Sequence, residues 1–340
     1  MNDTRPRLHR DTPLTGISFD EPELAATVSR DLQRVEELLR KELNHGEDFV
    51  NEKVIHLAAA GGKRFRPMFA VLASQLGSKA SCDDVIKAAT VVEMTHLATL
   101  YHDDVMDEAD RRRGVESANA RWGNSVAILA GDILLAHASR LMAALGTETV
   151  AHFAQTFGDL VTGQMRETVG PSDGDKIEHY LNVVHEKTGV LISSAGYLGA
   201  LHGGCSPEIT RALQQFGVYI GTIFQIVDDI IDIYSASEES GKTRGTDLRE
   251  GVFTLPVLFA LKEDSPAGEE LRGLLTGPLT SDEDVARALT LIEQTSGREQ
   301  ALEVVQQFTD KAFAELTSLP DGSVRSALRS LTEYSISRVR

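Results

Sequence analysis

Two segments of the sequence carry the same acidic triple. Asp103, Asp104 and Asp107 form one, and Asp228, Asp229 and Asp232 the other, both spaced i, i+1, i+4. On a helix turning about 100° per residue, three carboxylates so spaced fall within about 100° of arc, on one face. Neighbouring carboxylates there repel by about 3 kcal/mol per close pair at an effective dielectric of about 20. The second triple is set among Ile223, Phe224, Ile226, Val227, Ile230, Ile231 and Ile233, which is not the composition of a solvated charged face. One such triple in an acidic chain is as well explained by chance as by function. Two identical ones in apolar helices need a neutralising partner. Hard oxygen ligands with open positions suit Mg²⁺, completed by phosphate oxygens of a substrate.

Positive charge is concentrated nearby in the sequence. Gly61-Gly62-Lys63-Arg64-Phe65-Arg66-Pro67 is a glycine turn leading into basic residues at a helix start, where backbone amides and cationic side chains favour a phosphate. Arg111, Arg112, Arg113 and Gly114 follow the first triple by one to two helical turns. Each basic segment alone is equally well explained as a solvated loop. Beside the acidic triples, they imply a site for two anionic groups, one bridged by metal and one gripped by Arg and Lys.

The elements that must position these residues are helical. Leu24, Val28, Leu32, Val35 and Leu39 step along one face at threes and fours. Ser81 with Asp84 and Ser296 with Glu299 have capping-box spacing, and Ser206-Pro207 has the pattern of an N-cap before a first-turn proline. Breaks fall at Gly61-Gly62, Gly170-Pro171, Gly203-Gly204, across 241–251 and at Gly277-Pro278. No alternating strand pattern flanked by hairpin turns, internal repeat or low-complexity linker occurs. About ten to twelve helices with short connections are expected. Length alone suggests roughly two domains. The uniform helical pattern predicts one large all-α domain over residues 21–340, after a flexible polar arm over 1–20.

Composition narrows the function classes. The chain has 340 residues, with 34 Lys and Arg against 51 Asp and Glu, a net charge of −17. Such an acid surplus argues against nucleic acid as a partner. Cys82 and Cys205 lie far apart without Cys-x-x-Cys spacing, so neither a disulfide framework nor a structural zinc site is expected. The N-terminal segment lacks the apolar run of a signal peptide, and no stretch approaches the 18 or so apolar residues of a membrane span. A cytoplasmic protein is expected.

The motifs, taken in order, resemble those of trans-isoprenyl diphosphate synthases (the polyprenyl synthetase family). The segments carrying the resemblance are GGKRFRP at 61–67, EMTHLATLYHDDVMDEADRRRG at 93–114, GQ at 163–164, EKTG at 186–189, FQIVDDIIDI at 224–233 and GKTRGTDLREG at 241–251. The resemblance implies an all-α fold with helices around a deep central cavity, and a homodimer. It also implies Mg²⁺-dependent head-to-tail condensation of isopentenyl diphosphate with an allylic diphosphate. Asp103, Asp104, Asp107, Asp228, Asp229 and Asp232 match the positions that hold Mg²⁺, three ions when substrate is bound. Lys63, Arg66, His96 and Arg113 match positions that bind isopentenyl diphosphate. Arg112, Lys187 and Lys242 match those facing the allylic diphosphate, with Thr188 and Gln225 directing oxygens toward the developing cation. His102 and Asp247 stand beside these motifs with supporting or structural roles. In the family the released diphosphate takes the proton, so no protein base is needed.

Chain length is partly encoded beneath the first triple. Ala98 and Thr99 lie five and four residues before Asp103, about 7 Å deeper along the helix. Neither is a bulky aromatic, nor are Met94 and Thr95, so an open tunnel and a long-chain product of quinone side-chain type are expected. One residue departs from the family pattern: Val252 stands where a lysine is common, in Glu250-Gly251-Val252-Phe253-Thr254-Leu255-Pro256. Three rival functions fit less well. Gly241-Lys242-Thr243 is not a nucleotide P-loop, because Ala236 replaces the required glycine. A terpene cyclase would lack the second aspartate triple and the GGKRFRP segment. A non-catalytic partner subunit should have lost metal aspartates, and all six are present.

Overall fold

The computed structural model describes residues 21–339 apart from 45, 172, 173 and 235–243. The expected arm over 1–20 therefore lies outside the described residues. So does Lys242. Among the described residues the chain is almost wholly helical, as expected. The helices are α1 (Pro22–Leu43), α2 (Asp48–Ala59), α3 (Phe65–Ser74), α4 (Asp83–Met106), α5 (Ala118–Trp122), α6 (Asn124–Leu145), α7 (Thr147–Val169) and α8 (Lys176–Val184). A π-helical turn, His185–Gly189, joins α8 to α9 (Val190–Gly203). Then come α10 (Pro207–Tyr234), α11 (Thr246–Glu250), α12 (Leu255–Lys262), α13 (Pro266–Leu274), α14 (Asp282–Ile292), α15 (Gly297–Leu316) and α16 (Ser323–Ser337). Sixteen described helices exceed the ten to twelve expected. The excess arises where α5 gives way to α6 at Gly123 and α6 to α7 at Gly146, single-residue breaks that a periodicity window spans without seeing.

These residues form two compact units. The first comprises the described residues through Thr156 with Leu191–Gln214 and Ser318–Ala327. The second comprises Phe157–Val190, Gln215–Thr317 and the residues from Leu328 on. The sequence predicts a single domain because most of the boundaries fall within helices and none carries a linker composition. In the first unit α4 packs on α6, α3 and α1. It is buried nearly all round, with Val85, Ala89, Val92, Met94, Leu97, Ala98 and Tyr101 in the core. The predicted stripe of α1 is buried too. In the second unit α12 packs on α15, α13 and α8, around Val257, Leu271, Val285 and Ile292.

Four local expectations change. The capping residue of α4 is Cys82; Ser81 takes a positive φ and receives Gln75 Nε2 on its hydroxyl. Ser296 gives its N–H and hydroxyl to Glu263, both at 2.7 Å, instead of closing a box with Glu299. A short antiparallel ribbon pairs Arg111 with Glu116 and Arg112 with Val115. Its loop, Arg113-Gly114, has positive φ at both residues, the requirement of a type I′ hairpin turn. Two-residue strands leave no alternating pattern to read. Finally, α6 is by length and composition apolar enough to cross a membrane. The sequence expectation missed it because Asp132, His137 and Arg140 interrupt the run. Its Ala127, Ala130, Leu134, Ala138, Leu141 and Met142 are buried, while Ile128 and Leu129 are exposed.

In the second unit α7 lies against the π-helical turn, where Gly163 permits the approach. A Cβ there would stand 2.7 Å from Glu186 Cβ and 2.8 Å from the Lys187 nitrogen. Gly163→Ala should lower the urea midpoint, costing about 1–3 kcal/mol by overpacking. Gly158→Ala on the same helix meets open space and should gain up to about 1 kcal/mol from helix propensity. Equal effects of the two substitutions would contradict the close approach.

Candidate active site

In the first unit α4 carries His96, Asp103 and Asp104 and ends at Met106. Asp107 is the capping residue, its N–H donating to Asp103 O at 2.8 Å. The triple thus sits at a helix C-terminus, where the macrodipole already concentrates negative charge, and carboxylates there demand a cation. Asp103 is half-buried, Asp104 buried and Asp107 exposed. Asp104 Oδ1 accepts from Arg112 Nε at 2.6 Å, while its Oδ2 is buried with no hydrogen-bond partner. Burial pushes the Asp104 carboxyl above its ordinary range, against the opposing charge of Arg112. An orphaned carboxylate oxygen at this position fits a metal ion.

The glycine turn and the hairpin meet over Arg113. Its Nη1 donates to Leu57 O at 3.1 Å and to Gly61 O. Gly62 makes the space, since a Cβ there would lie 2.9 Å from Arg113 Cζ, and its φ of +149° also excludes most side chains. Arg64, itself at positive φ, ties the turn down by pairing with Glu36 of α1, Glu93 of α4 and Ala58 O. Arg66 is held differently. Its Nε is buried without a partner, and burial lowers its pKa to about 10, assisted by Arg113 and opposed by Glu93. Burial, then the charges of Arg66, Arg113, Arg64 and Arg112, holds His96 well below its ordinary value of 6.5. The predicted group Arg66, His96 and Arg113 is therefore brought together, and its positive charge is incompletely neutralised. An anion would relieve it. Lys63 is exposed at the turn.

In the second unit Asp228, Asp229 and Asp232 lie within α10. Asp228 Oδ1 pairs with Arg338 Nη2 at 2.7 Å. Asp232 accepts from the backbone N–H groups of Thr246 and Asp247, at 3.2 and 3.3 Å, where α11 begins. Asp229 is buried, and burial, reinforced by its two aspartate neighbours, pushes its carboxyl up to about 7. Its Oδ1 accepts from Gln225 Nε2 at 2.9 Å and its Oδ2 from the Tyr180 hydroxyl. Thr188 donates to Gln225 Oε1 at 3.2 Å. Lys187 and Thr188 stand in the π-helical turn, a distortion common at functional sites. Lys187 pairs with Glu167 of α7. Val252, at the position where lysine is common, is exposed.

The structure adds residues that sequence reasoning missed. Tyr180, Glu167 and Arg338 each engage a predicted site residue from at least 20 positions away, so no local spacing could reveal them. Glu93 was visible as the Glu of E-x-x-H, but not as counter-ion to Arg64. Among the described residues no three His, Cys, Asp or Glu side chains converge on one point.

Comparison with known proteins locates this arrangement. Residues 47–292 match the family model described as polyprenyl synthetase. A nonaprenyl diphosphate synthase of Mycobacterium tuberculosis is 52% identical over 328 residues, covering 96% of this chain and 98% of that protein. An octaprenyl diphosphate synthase of Escherichia coli is 33% identical over 331 residues, covering 92% and 97%. Among solved structures, a geranylgeranyl pyrophosphate synthase from Corynebacterium glutamicum, complexed with calcium and isoprenyl diphosphate, superposes with a TM-score of 0.88. It is 63% identical, covering 95% of this chain and 99% of that one.

The depressed His96 pKa has a testable consequence. The native imidazole stays neutral, whereas the unfolded one takes a proton near 6.5, so stability falls as pH drops through that value. His152 and His202 are lowered by burial in the same sense. Urea unfolding between pH 7.5 and 5.5 should therefore show a shallower loss in His96→Gln than in the parent. Parallel slopes would contradict a buried, charge-repelled His96.

Proposed function

The chain belongs to the polyprenyl synthetase family, and from that premise we propose how its residues divide the work of chain elongation. It is a prenyltransferase, a polyprenyl diphosphate synthase. The reading is that isopentenyl diphosphate adds head-to-tail to an allylic diphosphate with Mg²⁺, giving an all-trans, long-chain product. One observation carries it: two identical aspartate triples occur in a chain that also gathers Arg66, His96 and Arg113, whose nearby acid Glu93 is already paired with Arg64.

Asp103, Asp104 and Asp107, with Asp228, Asp229 and Asp232, are the proposed metal handles, up to three ions with substrate bound. The outer members of each triple are the less buried ones. When bound, Mg²⁺ would supply Lewis-acid neutralisation of the departing diphosphate. Lys63, Arg66, His96 and Arg113 bind isopentenyl diphosphate, with His96 neutral and acting as a hydrogen-bonding group. Arg112, Lys187 and Lys242 face the allylic diphosphate and stabilise its charge as the C–O bond ionises. With Val252 in place of a lysine, more of that load rests on Lys187. Thr188 and Gln225 direct oxygens to the cation, and proximity of the isopentenyl double bond does much of the rest. The proton leaves to the released diphosphate.

Product length is read from α4. Ala98, Thr95 and Met94 are fully buried and Thr99 half-buried, none a bulky aromatic. Relatives' names include geranylgeranyl, nonaprenyl and decaprenyl products, and the lack of a bulky aromatic at these positions favours the longer end. On α6, Ile128 and Leu129 are 43% and 59% exposed, an apolar pair that supports association as a homodimer. Action in the cytoplasm is in keeping with this reading.

Incubation of the purified chain with farnesyl diphosphate, isopentenyl diphosphate and Mg²⁺, followed by mass analysis, tests it. A polyprenyl product longer than geranylgeranyl is expected, and Asp103→Ala or Asp228→Ala should lower turnover by about 10²–10³-fold. A farnesyl or geranylgeranyl endpoint would contradict the open tunnel. A cyclic hydrocarbon from the allylic substrate alone would contradict condensation.

A further inference from the structure

Tyr180 lies on α8, outside every motif that led to the site. Its hydroxyl donates to Asp229 Oδ2, while Gln225 Nε2 donates to Oδ1 and Thr188 donates to Gln225 Oε1. Four side chains from α8, the π-helical turn and α10 are thus linked in one line, all within the second unit. Asp229 is 5% exposed, and each of its oxygens already receives a protein donor.

The line has a fixed sense. Both Asp229 oxygens accept, Oδ2 from the Tyr180 hydroxyl and Oδ1 from the Gln225 amide NH₂, a group that can only donate. The Gln225 amide is thereby oriented with its NH₂ on Asp229 and its oxygen turned to Thr188. The Thr188 proton is then spent on Gln225, and its remaining lone pairs are free for a positive charge. Without the Tyr180 hydroxyl, one Asp229 oxygen loses its donor in a buried site. The carboxylate can then turn, and the amide is no longer bound to one orientation.

We propose that Tyr180 is a positioning residue of the condensation, fixing Asp229 so that Gln225 and Thr188 present oxygen to the developing allylic cation. The inference rests on the reading under Proposed function and deepens it. Tyr180 touches no substrate in this scheme and acts through three other side chains.

Tyr180→Phe, which removes one oxygen and keeps the ring, is the primary test, with its fold checked by urea unfolding. We expect kcat to fall about tenfold or more, as for a hydrogen bond to a charged group. KM for isopentenyl diphosphate, whose proposed binding groups lie in the first unit, should stay within about twofold. Mn²⁺ affinity, measured calorimetrically with inorganic diphosphate, should also stay near parental, whereas Asp228→Asn should lower it about tenfold or more. Asp229→Asn is the second variant, and independent of Tyr180 folding: it should lose kcat at least as far as Tyr180→Phe. Unchanged kcat in either variant would overturn the proposal. So would a loss of Mn²⁺ affinity in Tyr180→Phe as large as in Asp228→Asn, which would place Tyr180 in metal binding rather than in orienting Gln225. A parent chain that neither binds Mn²⁺ with diphosphate nor turns over would instead overturn the reading beneath it.

Discussion

Unbalanced charge is the constraint on which the site depends. Three carboxylates close the C-terminal end of α4, where the helix dipole is already negative, and three more lie along α10 among isoleucines and valines. Protein donors neutralise only part of this. Arg112 meets Asp104, Arg338 meets Asp228, and Tyr180 with Gln225 meets Asp229. The positive group has the opposite deficit. Arg66 is lowered to about 10 and His96 is kept neutral, mainly by burial and then by neighbouring arginines.

That constraint also explains the acidic total. A net charge of −17 would repel two anionic substrates if spread evenly. On the reading proposed above, six of the 51 acids are metal handles, and Lys63, Arg66, Arg112 and Arg113 are the groups that meet anions. Glu36 and Glu93 do different work, holding Arg64 so that the glycine turn stays shaped around Arg113. Many of the remaining acids lie on exposed helix faces, where they favour solubility.

The proposed chemistry is legible in the sequence because its motifs are local. A triple at i, i+1, i+4 and a Gly-Gly-Lys-Arg turn declare themselves within a few residues, and helical periodicity gave the all-α class. The hairpin at Arg111–Glu116 was not legible, since two residues per strand cannot alternate. Nor was the Tyr180–Asp229 bond, whose partners are 49 residues apart on different helices. Capping failed for a related reason: Ser296 had a tertiary partner, Glu263, that outcompeted the local box. The division into two units was hidden because most of its boundaries run through helices with no change in composition.

The central claim is that metal converts an acidic patch into a diphosphate clamp. Calorimetric titration of an inert allylic diphosphate analogue, with and without Mg²⁺, tests it most directly. The account predicts saturable binding that requires the metal and disappears with chelator. Equally tight binding of the analogue without metal would contradict it.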